Sequence, residues 1–357
     1  MKKVLVAMSG GVDSSTAALL LKEQGFDCVG CTMRLFDSRT VRPEEGKTCC
    51  SLDDVEDARE VARRLDMPFH VFNLSDAFRE KVIEPFIRSY EAGCTPNPCI
   101  DCNRFLKFEK LYERAQVLGC DAVATGHYAR VEEEDGRFVL KKAADLGKDQ
   151  SYVLYTLTQA QLARTLFPLG DRSKLEMRAL AEAHGFCNAS KPDSQDICFV
   201  PDGDYAAFIE RETGCRYPEG DFVDPEGKVL GRHRGLIHYT VGQRRGLGVS
   251  AAGRLYVRSL DTETNTVTLA PEKDTLVRTV VCENCHMISG EPLKGELPVT
   301  VRLRYRQKER PALARQENGQ LIIRLDEPQR APAPGQAAVL YDGDRVLGGG
   351  TILRSEA

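Results

Sequence analysis

The chain has no tryptophan, an absence without functional meaning, and no apolar run near the length that spans a bilayer. Its opening apolar run, Val4-Leu5-Val6-Ala7-Met8, stops at Ser9-Gly10-Gly11, too short for the core of a cleavable leader. No membrane association is therefore expected, and a cytoplasmic setting is. Internal repeats and low-complexity tracts are also missing. A strong overall charge is missing too: the net charge is −4 over 357 residues. That near-neutrality hides a local absence, since Lys228 to Arg258 holds seven basic residues, two histidines and no acid. A solvated face usually interleaves both signs, so a stretch of one sign points to a phosphate-rich partner. A second basic cluster follows at Arg302, Arg304, Arg306, Lys308 and Arg310.

Hydrophobic residues make up 42% of the chain, ample for packed cores, and the length suits two or three domains. Cysteine is plentiful at thirteen, an odd number. In a reducing compartment that count argues for reactive thiols or metal ligands over a disulfide framework.

The first part alternates short β-rich runs with helical patterns. Strands are expected at Lys3–Met8, Cys28–Phe36, Phe69–Leu74 and Asp121–Thr125, with a helix at Thr16–Gln24 closed by Gly25. Ser51-Leu52-Asp53-Asp54 reads as the cap of another helix running to about Leu65. This βαβ alternation predicts an α/β fold with a doubly wound parallel sheet and a site at the carboxyl ends of its strands. After about Tyr205 the texture changes to β-branched runs separated by turn signals, among them Thr266–Leu269, Val299–Leu303, Leu321–Leu325 and Ala337–Leu340. The expected organisation is a catalytic domain over 1–205, a small linker domain over 206–275, and a C-terminal antiparallel β-barrel over 276–357.

Ser9-Gly10-Gly11-Val12-Asp13-Ser14-Ser15 lies between the first strand and the first helix. Its glycines let backbone approach phosphate, and the helix N-terminus offers N–H groups and the positive end of a dipole. The serines add hydroxyl donors, and Asp13 is a candidate for Mg²⁺. The Walker A spacing and its lysine are absent. The string resembles the PP-loop of N-type ATP pyrophosphatases, which cleave ATP between the α- and β-phosphates and adenylylate a substrate oxygen.

Asn97-Pro98-Cys99-Ile100-Asp101-Cys102-Asn103 precedes a helical run with Phe105, Phe108, Leu111, Ala115 and Leu118 on one face. Cys102 is thus expected near a helix N-terminus, where the dipole favours a thiolate. A second candidate thiol, Cys198 in Asp193-Ser194-Gln195-Asp196-Ile197-Cys198-Phe199, is expected in a loop near the sheet edge. Other cysteines read as structural. Cys28 and Cys31 are three apart in a strand and point to opposite faces; Cys49-Cys50 are loop residues; Cys282-Glu283-Asn284-Cys285-His286 reads as a β-turn lacking a second ligand pair.

With Thr32–Phe36, Ala124-Thr125-Gly126-His127-Tyr128, Lys148–Tyr152, Tyr239–Gly248 and Pro334-Gly335-Gln336 following in order, the chain resembles, over its whole length, the bacterial tRNA-specific 2-thiouridylase (MnmA-type) family. The resemblance implies ATP-dependent replacement of the position-2 oxygen of a tRNA wobble uridine by sulfur. It implies ATP contacts from Ala7, Met8, Ser9, Gly10, Gly11, Val12, Asp13, Ser14, Met33 and Gly126. Asn97, Pro98 and Cys99 would lie beside the target base. His127, Lys148, Asp149, Gln150, Arg304, Tyr305 and Gln336 would touch tRNA, and Arg244 and Arg245 are candidates for phosphate contact from their acid-free surroundings. Cys102 would be the nucleophile and Cys198 the persulfide carrier. The implied cofactors and partners are ATP, Mg²⁺, tRNA and a sulfur donor, whether a cysteine desulfurase, a sulfur-relay protein or free sulfide. The family often has Asp where this chain has Cys99, and the three thiols Cys99, Cys102 and Cys198 also suit a 4Fe–4S cluster. A persulfide pair and a cluster stand as alternatives at this stage. Two rival functions are a PP-loop synthetase adenylating a small molecule, which needs neither thiol, and a non-catalytic RNA-binding or iron–sulfur sensing protein.

Overall fold

A computed structural model describes residues 2–36, 52–192, 197–251 and 253–357. The expectations placed on Ser51, on Cys49-Cys50 and on Asp193–Asp196 fall outside the described residues. In the first region the strands are β1 (Lys3–Ala7), β2 (Asp27–Arg34), β3 (Phe69–Asn73), β4 (Ala122–Thr125), β5 (Ala129–Glu134), β6 (Arg137–Lys142) and β7 (Thr165–Leu166). The middle region holds β8 (Gly220–Val223), β9 (Val229–His233), β10 (Leu255–Asp261) and β11 (Thr266–Pro271). The last region holds β12 (Leu276–Met287), β13 (Leu297–Arg302), β14 (Arg310–Glu317), β15 (Gln320–Arg330), β16 (Ala337–Asp342) and β17 (Arg345–Glu356).

The parallel sheet runs β3-β2-β1-β4-β7, with β1 paired to β2 (Ala7 opposite Cys31) and to β4 (Ala7 opposite Thr125). Continuous β-branched and alanine runs suit it because both faces are covered. Val4, Val6, Met8 and Cys28 pack on one face under helix α1 (Val12–Glu23) and helix α2 (Leu52–Arg64). Leu5, Val29 and Cys31 pack on the other against Leu111 and Ala115. Cys28 and Cys31 are therefore buried on opposite faces, as strand geometry requires, and burial pushes both thiols up, Cys28 to about 11. The chain order reverses direction between β1 and β4, which opens a crevice at their carboxyl ends.

Helix α1 begins at Val12, four residues before the expected Thr16, because the helix starts directly at the glycine pair, with Gly11 as its cap residue. The middle sheet, β10-β11-β8-β9, encloses Phe222, Tyr239, Val257, Val267 and Leu269. In the last region β12-β15-β14-β13-β16-β17 closes into a six-stranded antiparallel barrel through a β12–β17 pairing. The hairpin β5–β6 joins that sheet edge-on, Arg345 opposite Lys141, so the first region contributes two strands to the last. Cys282-Glu283-Asn284-Cys285-His286 is a correction: these residues lie within β12 as an irregular, bulged strand rather than a β-turn. Only Asn284 takes a left-handed φ, of 49°, and Cys282 packs in the barrel core.

Candidate functional site

The nucleotide loop occupies the β1–α1 turn at the crevice. Gly10 has φ +76, and a Cβ there would lie 2.3 Å from the Asp54 carbonyl oxygen of α2, so no larger residue fits. Ser9 N–H donates to Ser14 Oγ at 3.1 Å, and the Ser14 and Ser15 hydroxyls donate to Gly11 O at 3.0 and 3.1 Å. Asn188 clamps the same loop from outside, Nδ2 donating to Gly10 O and to Ser15 Oγ, each at 2.9 Å. Lys191 in turn pairs with Asp54 and with Asp57, the latter at 2.8 Å. The first-turn N–H groups of α1 thus open onto the crevice without an intrahelical acceptor, an arrangement that binds phosphate.

Asp13 is placed differently from expectation. Its two carboxylate oxygens accept from Lys174 Nζ at 2.7 and 2.8 Å, and Oδ1 also accepts from Tyr128 Oη at 2.8 Å. Lys174 starts helix Lys174–Ala183, behind a Ser173/Glu176 capping box. A carboxylate so occupied orients the loop, so Asp13 is not offered as a Mg²⁺ ligand. Lys174, Asn188 and Lys191 escaped the sequence reading, and Tyr128 stood there only as part of a motif; the Ser173-x-x-Glu176 signature marks the helix but not where its lysine points.

On the neighbouring strand end, a Cβ on Gly126 would sit 2.7 Å from Asp13 C and Ser14 N, so Gly126 abuts the loop. Met33, at the end of β2, packs partly buried between two cores. His127 is 8% exposed, with Nδ1 2.7 Å from Thr125 Oγ1 and its ring between Phe108 and Phe167. Burial, helped by the charge of Lys107, holds its pKa well below the usual histidine range, so it is a neutral imidazole.

The thiol-bearing helix starts earlier than expected. Asn97 is its cap, Oδ1 accepting from Cys99 N–H at 3.2 Å, and Pro98 is the first helical residue. Cys99, exposed, therefore takes the first turn, and Cys102, half-buried, falls in the second. The dipole argument thus applies more directly to Cys99. Cys102 and half-buried Cys198 both pack against one large apolar cluster that includes Phe78, Phe86, Leu106 and Phe199. Asp101, one residue before Cys102, has its carboxyl pushed up to about 6 by burial, against the opposing pull of Arg104. Among the described residues no group of three or more His, Cys, Asp or Glu is arranged to hold a metal ion, Cys99, Cys102 and Cys198 included.

The barrel reaches this helix. Thr95 N–H donates to Pro334 O at 2.7 Å, and Gln336 Nε2 donates to Thr95 O at 2.7 Å and Pro96 O at 3.2 Å. Gln336 thus holds the backbone that leads into Asn97. The Tyr305 ring lies 5.9 Å from that of Tyr152, tilted by 57°, and burial, helped by the charges of Asp149 and Cys99, raises its pKa. A cleft of about 330 Å³ at the junction of the three regions is lined by Thr95, Tyr205, Thr240, Gln243, Arg304 and Gln336. Arg304 donates to Ala331 O at 3.2 Å.

Not all the expected RNA contacts share this surface. Lys148 and Gln150 are half-buried at its edge, Gln150 accepting from Tyr128 N–H at 2.9 Å. The Asp149 side chain is fully buried, accepting from Ser151 and from Arg302 Nη1 at 2.7 Å, so it is a structural anion between regions, not an RNA contact. Arg302 is likewise internal, also bonded to Glu309 at 3.0 Å, which removes it from the exposed basic cluster. Arg232 has an acid after all, Asp221 at 3.1 Å on the adjacent strand. Arg234, Arg244, Arg245, Arg254 and Arg258 are exposed and form no ion pair among the described residues.

Comparison with known proteins gives three family matches in series: a tRNA methyl transferase HUP domain over residues 2–202, a tRNA methyl transferase PRC-barrel domain over 206–271, and an aminomethyltransferase beta-barrel domain over 277–352. The chain is 49% identical to tRNA-specific 2-thiouridylase MnmA 1 of Thermoanaerobacter sp. (strain X514), covering 99% of this chain and 98% of that protein. It is 46% identical to tRNA-specific 2-thiouridylase MnmA of Clostridioides difficile (strain 630), covering 99% of each. Among solved structures, a 4-thiouridine synthetase–RNA complex with bound ATP aligns at TM-score 0.39 and 19% identity over 60% of this chain and 50% of that one.

Proposed function

The chain belongs to the tRNA-specific 2-thiouridylase family, and on that premise we propose that it thiolates position 2 of a tRNA wobble uridine through an adenylated intermediate and a pair of cysteines. It is an ATP-dependent tRNA sulfurtransferase. The observation that supports the cysteine assignment is that Cys102 and Cys198, far apart in sequence, pack partly buried against the same apolar cluster. In this reading residues 1–205 bind ATP and carry out the chemistry, while 206–275 and 276–357 hold the RNA in the cytoplasm.

MgATP binds with its phosphates on the Ser9–Ser14 loop and the first turn of α1. Ala7, Met8, Met33 and Gly126 wall the nucleotide. Asn97, Pro98 and Cys99 face the target base. Uridine O2 attacks the α-phosphorus, pyrophosphate leaves with the bond electrons, and the N3 proton goes to solvent. A persulfide on Cys198 then adds to C2 and AMP departs, leaving Cys198–S–S–C2. The Cys102 thiolate attacks the Cys198 Sγ of that bond, releasing 2-thiouridine and leaving a Cys102–Cys198 disulfide for a cellular thiol reductant. The persulfide is charged by a cysteine desulfurase or a sulfur-relay protein, or by free sulfide attacking Cys198 Sγ of the Cys102–Cys198 disulfide left by the previous turnover, with Cys102 leaving as thiolate. A 4Fe–4S cluster would require Cys99, Cys102 and Cys198 to converge as ligands. Among the described residues they form no site for a single metal ion, and no step is routed through a cluster.

His127, Lys148, Gln150, Tyr305 and Gln336 line or brace the tRNA path, and Arg244, Arg245 and Arg304 meet phosphates. The test is nucleoside mass spectrometry on unmodified tRNA with ATP, Mg²⁺ and a persulfide donor. Thiouridine from the wild type and from Cys99→Ser, but not from Cys102→Ser or Cys198→Ser, is expected. Product from Cys102→Ser at the wild-type rate sinks the pair, and AMP formation without tRNA revives the small-molecule synthetase.

A further inference from the structure

Lys107 enters the site above only through its charge beside His127, yet its place is unusual. The stretch Cys102–Lys110 is a π-helix, whose hydrogen bonds close five residues apart. In that wider winding residues five apart stack on one face, so Lys107 falls in the stripe that Cys102 begins. At 3.6 residues per turn an α-helix would carry the fifth residue well round the axis. Rare π segments of this kind collect at functional sites.

The Lys107 Nζ lies 3.4 Å from His127 Nε2. A lysine ammonium can only donate, so Nε2 accepts, and the ring proton sits on Nδ1, which donates to Thr125 Oγ1. The holder is thus a neutral ring, and no carboxylate among the described residues pairs with Lys107. His127 in turn follows Gly126, which abuts Asp13 and Ser14 of the nucleotide loop. Among the described residues Lys107 is therefore a cation without a counter-anion, carried by the thiol helix and touching the histidine whose neighbour Gly126 abuts the phosphate loop, where negative charge arrives with the nucleotide.

Building on the proposed function, we propose that Lys107 is a catalytic residue of the adenylylation step, its ammonium meeting a non-bridging oxygen of the ATP α-phosphate. There it stabilises the charge that develops as uridine O2 bonds to the α-phosphorus and the bond to the pyrophosphate leaving group breaks. His127 positions it without neutralising it.

The experiment measures AMP formation by wild type, Lys107→Met and Lys107→Arg with unmodified tRNA and a persulfide donor. It uses ATP and the two diastereomers of ATP carrying sulfur on the α-phosphorus. Lys107→Met should lower kcat on the order of 10²–10³-fold with little change in KM for ATP, as loss of one preorganised donor does. Lys107→Arg should recover part of the rate. The wild type should prefer one diastereomer and Lys107→Met should lose that preference. Wild-type kcat in Lys107→Met overturns the proposal, as does a slow Lys107→Met that keeps the full preference, which marks a structural role. A wild type forming neither AMP nor thiouridine overturns the proposed function instead.

Discussion

Asp101 carries a carboxyl pushed up to about 6 by burial, beside the thiol of Cys102. Below the ordinary carboxylate pKa both folded and unfolded chains hold this proton. Between there and about 6 only the folded chain does, so this group's contribution to stability falls as pH rises through that window and is flat above it. The denaturant midpoint of the wild type relative to Asp101→Asn should therefore decline from about pH 4 to about pH 6. A difference that is flat over that range would contradict the buried carboxyl. Lys174 and Asp13 offer a second case. Lys174 is 10% exposed and Asp13 33%, so Lys174→Met leaves a half-desolvated carboxylate at the phosphate loop. Stability should drop by about 1–3 kcal/mol and ATP binding should weaken with it, read by thermal melts with and without nucleotide.

At the scale of elements, the turn Pro334–Gln336 and the segment leading into Asn97 behave as one unit. Gly335 takes φ +88, and a Cβ there would stand 3.0 Å from Thr95 N. Gly335→Ala adds a strained left-handed alanine and a backbone contact, costing about 1–3 kcal/mol of that junction. Thiolation at saturating tRNA should slow while ATP-loop binding of nucleotide is kept; a wild-type rate would show that the turn does not position the thiol helix. The same helix depends on its Asn97 cap, where alanine should cost about 1 kcal/mol and free the Cys99 N–H.

Across the whole molecule, one buried network binds the regions. Asp149, between β6 and β7, pairs with Arg302 of β13, which also pairs with Glu309 and lies 4.9 Å over the Tyr341 ring. Arg302→Met should destabilise by about 3–5 kcal/mol, since it leaves the fully buried Asp149 carboxylate without its cation, while Glu309 keeps Lys142. Calorimetry should show the barrel losing cooperativity with the catalytic region. The exposed arginines act at the same scale through salt. If Arg244 and Arg245 each neutralise one phosphate, the double alanine variant should lower the slope of log Kd against log salt by about 2. An unchanged slope removes them from the RNA path.

What could be read from residues alone was local. The phosphate loop needs contiguous glycines and serines after a strand, so its chemistry lies in one string, Ser9–Ser15. The parallel sheet and the later change to β texture were legible for the same reason. The early start of the thiol helix was also written locally, in Asn97-Pro98, but the apolar stripe beginning at Phe105 drew the boundary too late. Partnerships between distant residues were not legible. Lys174 on Asp13, Asp149 with Arg302, Asp221 with Arg232 and Gln336 on Thr95 each join residues set by packing rather than by spacing. Charge along the chain says how many cations there are; only the tertiary structure decides which of them are already paired, because pairing depends on distance and burial and neither is a property of sequence order.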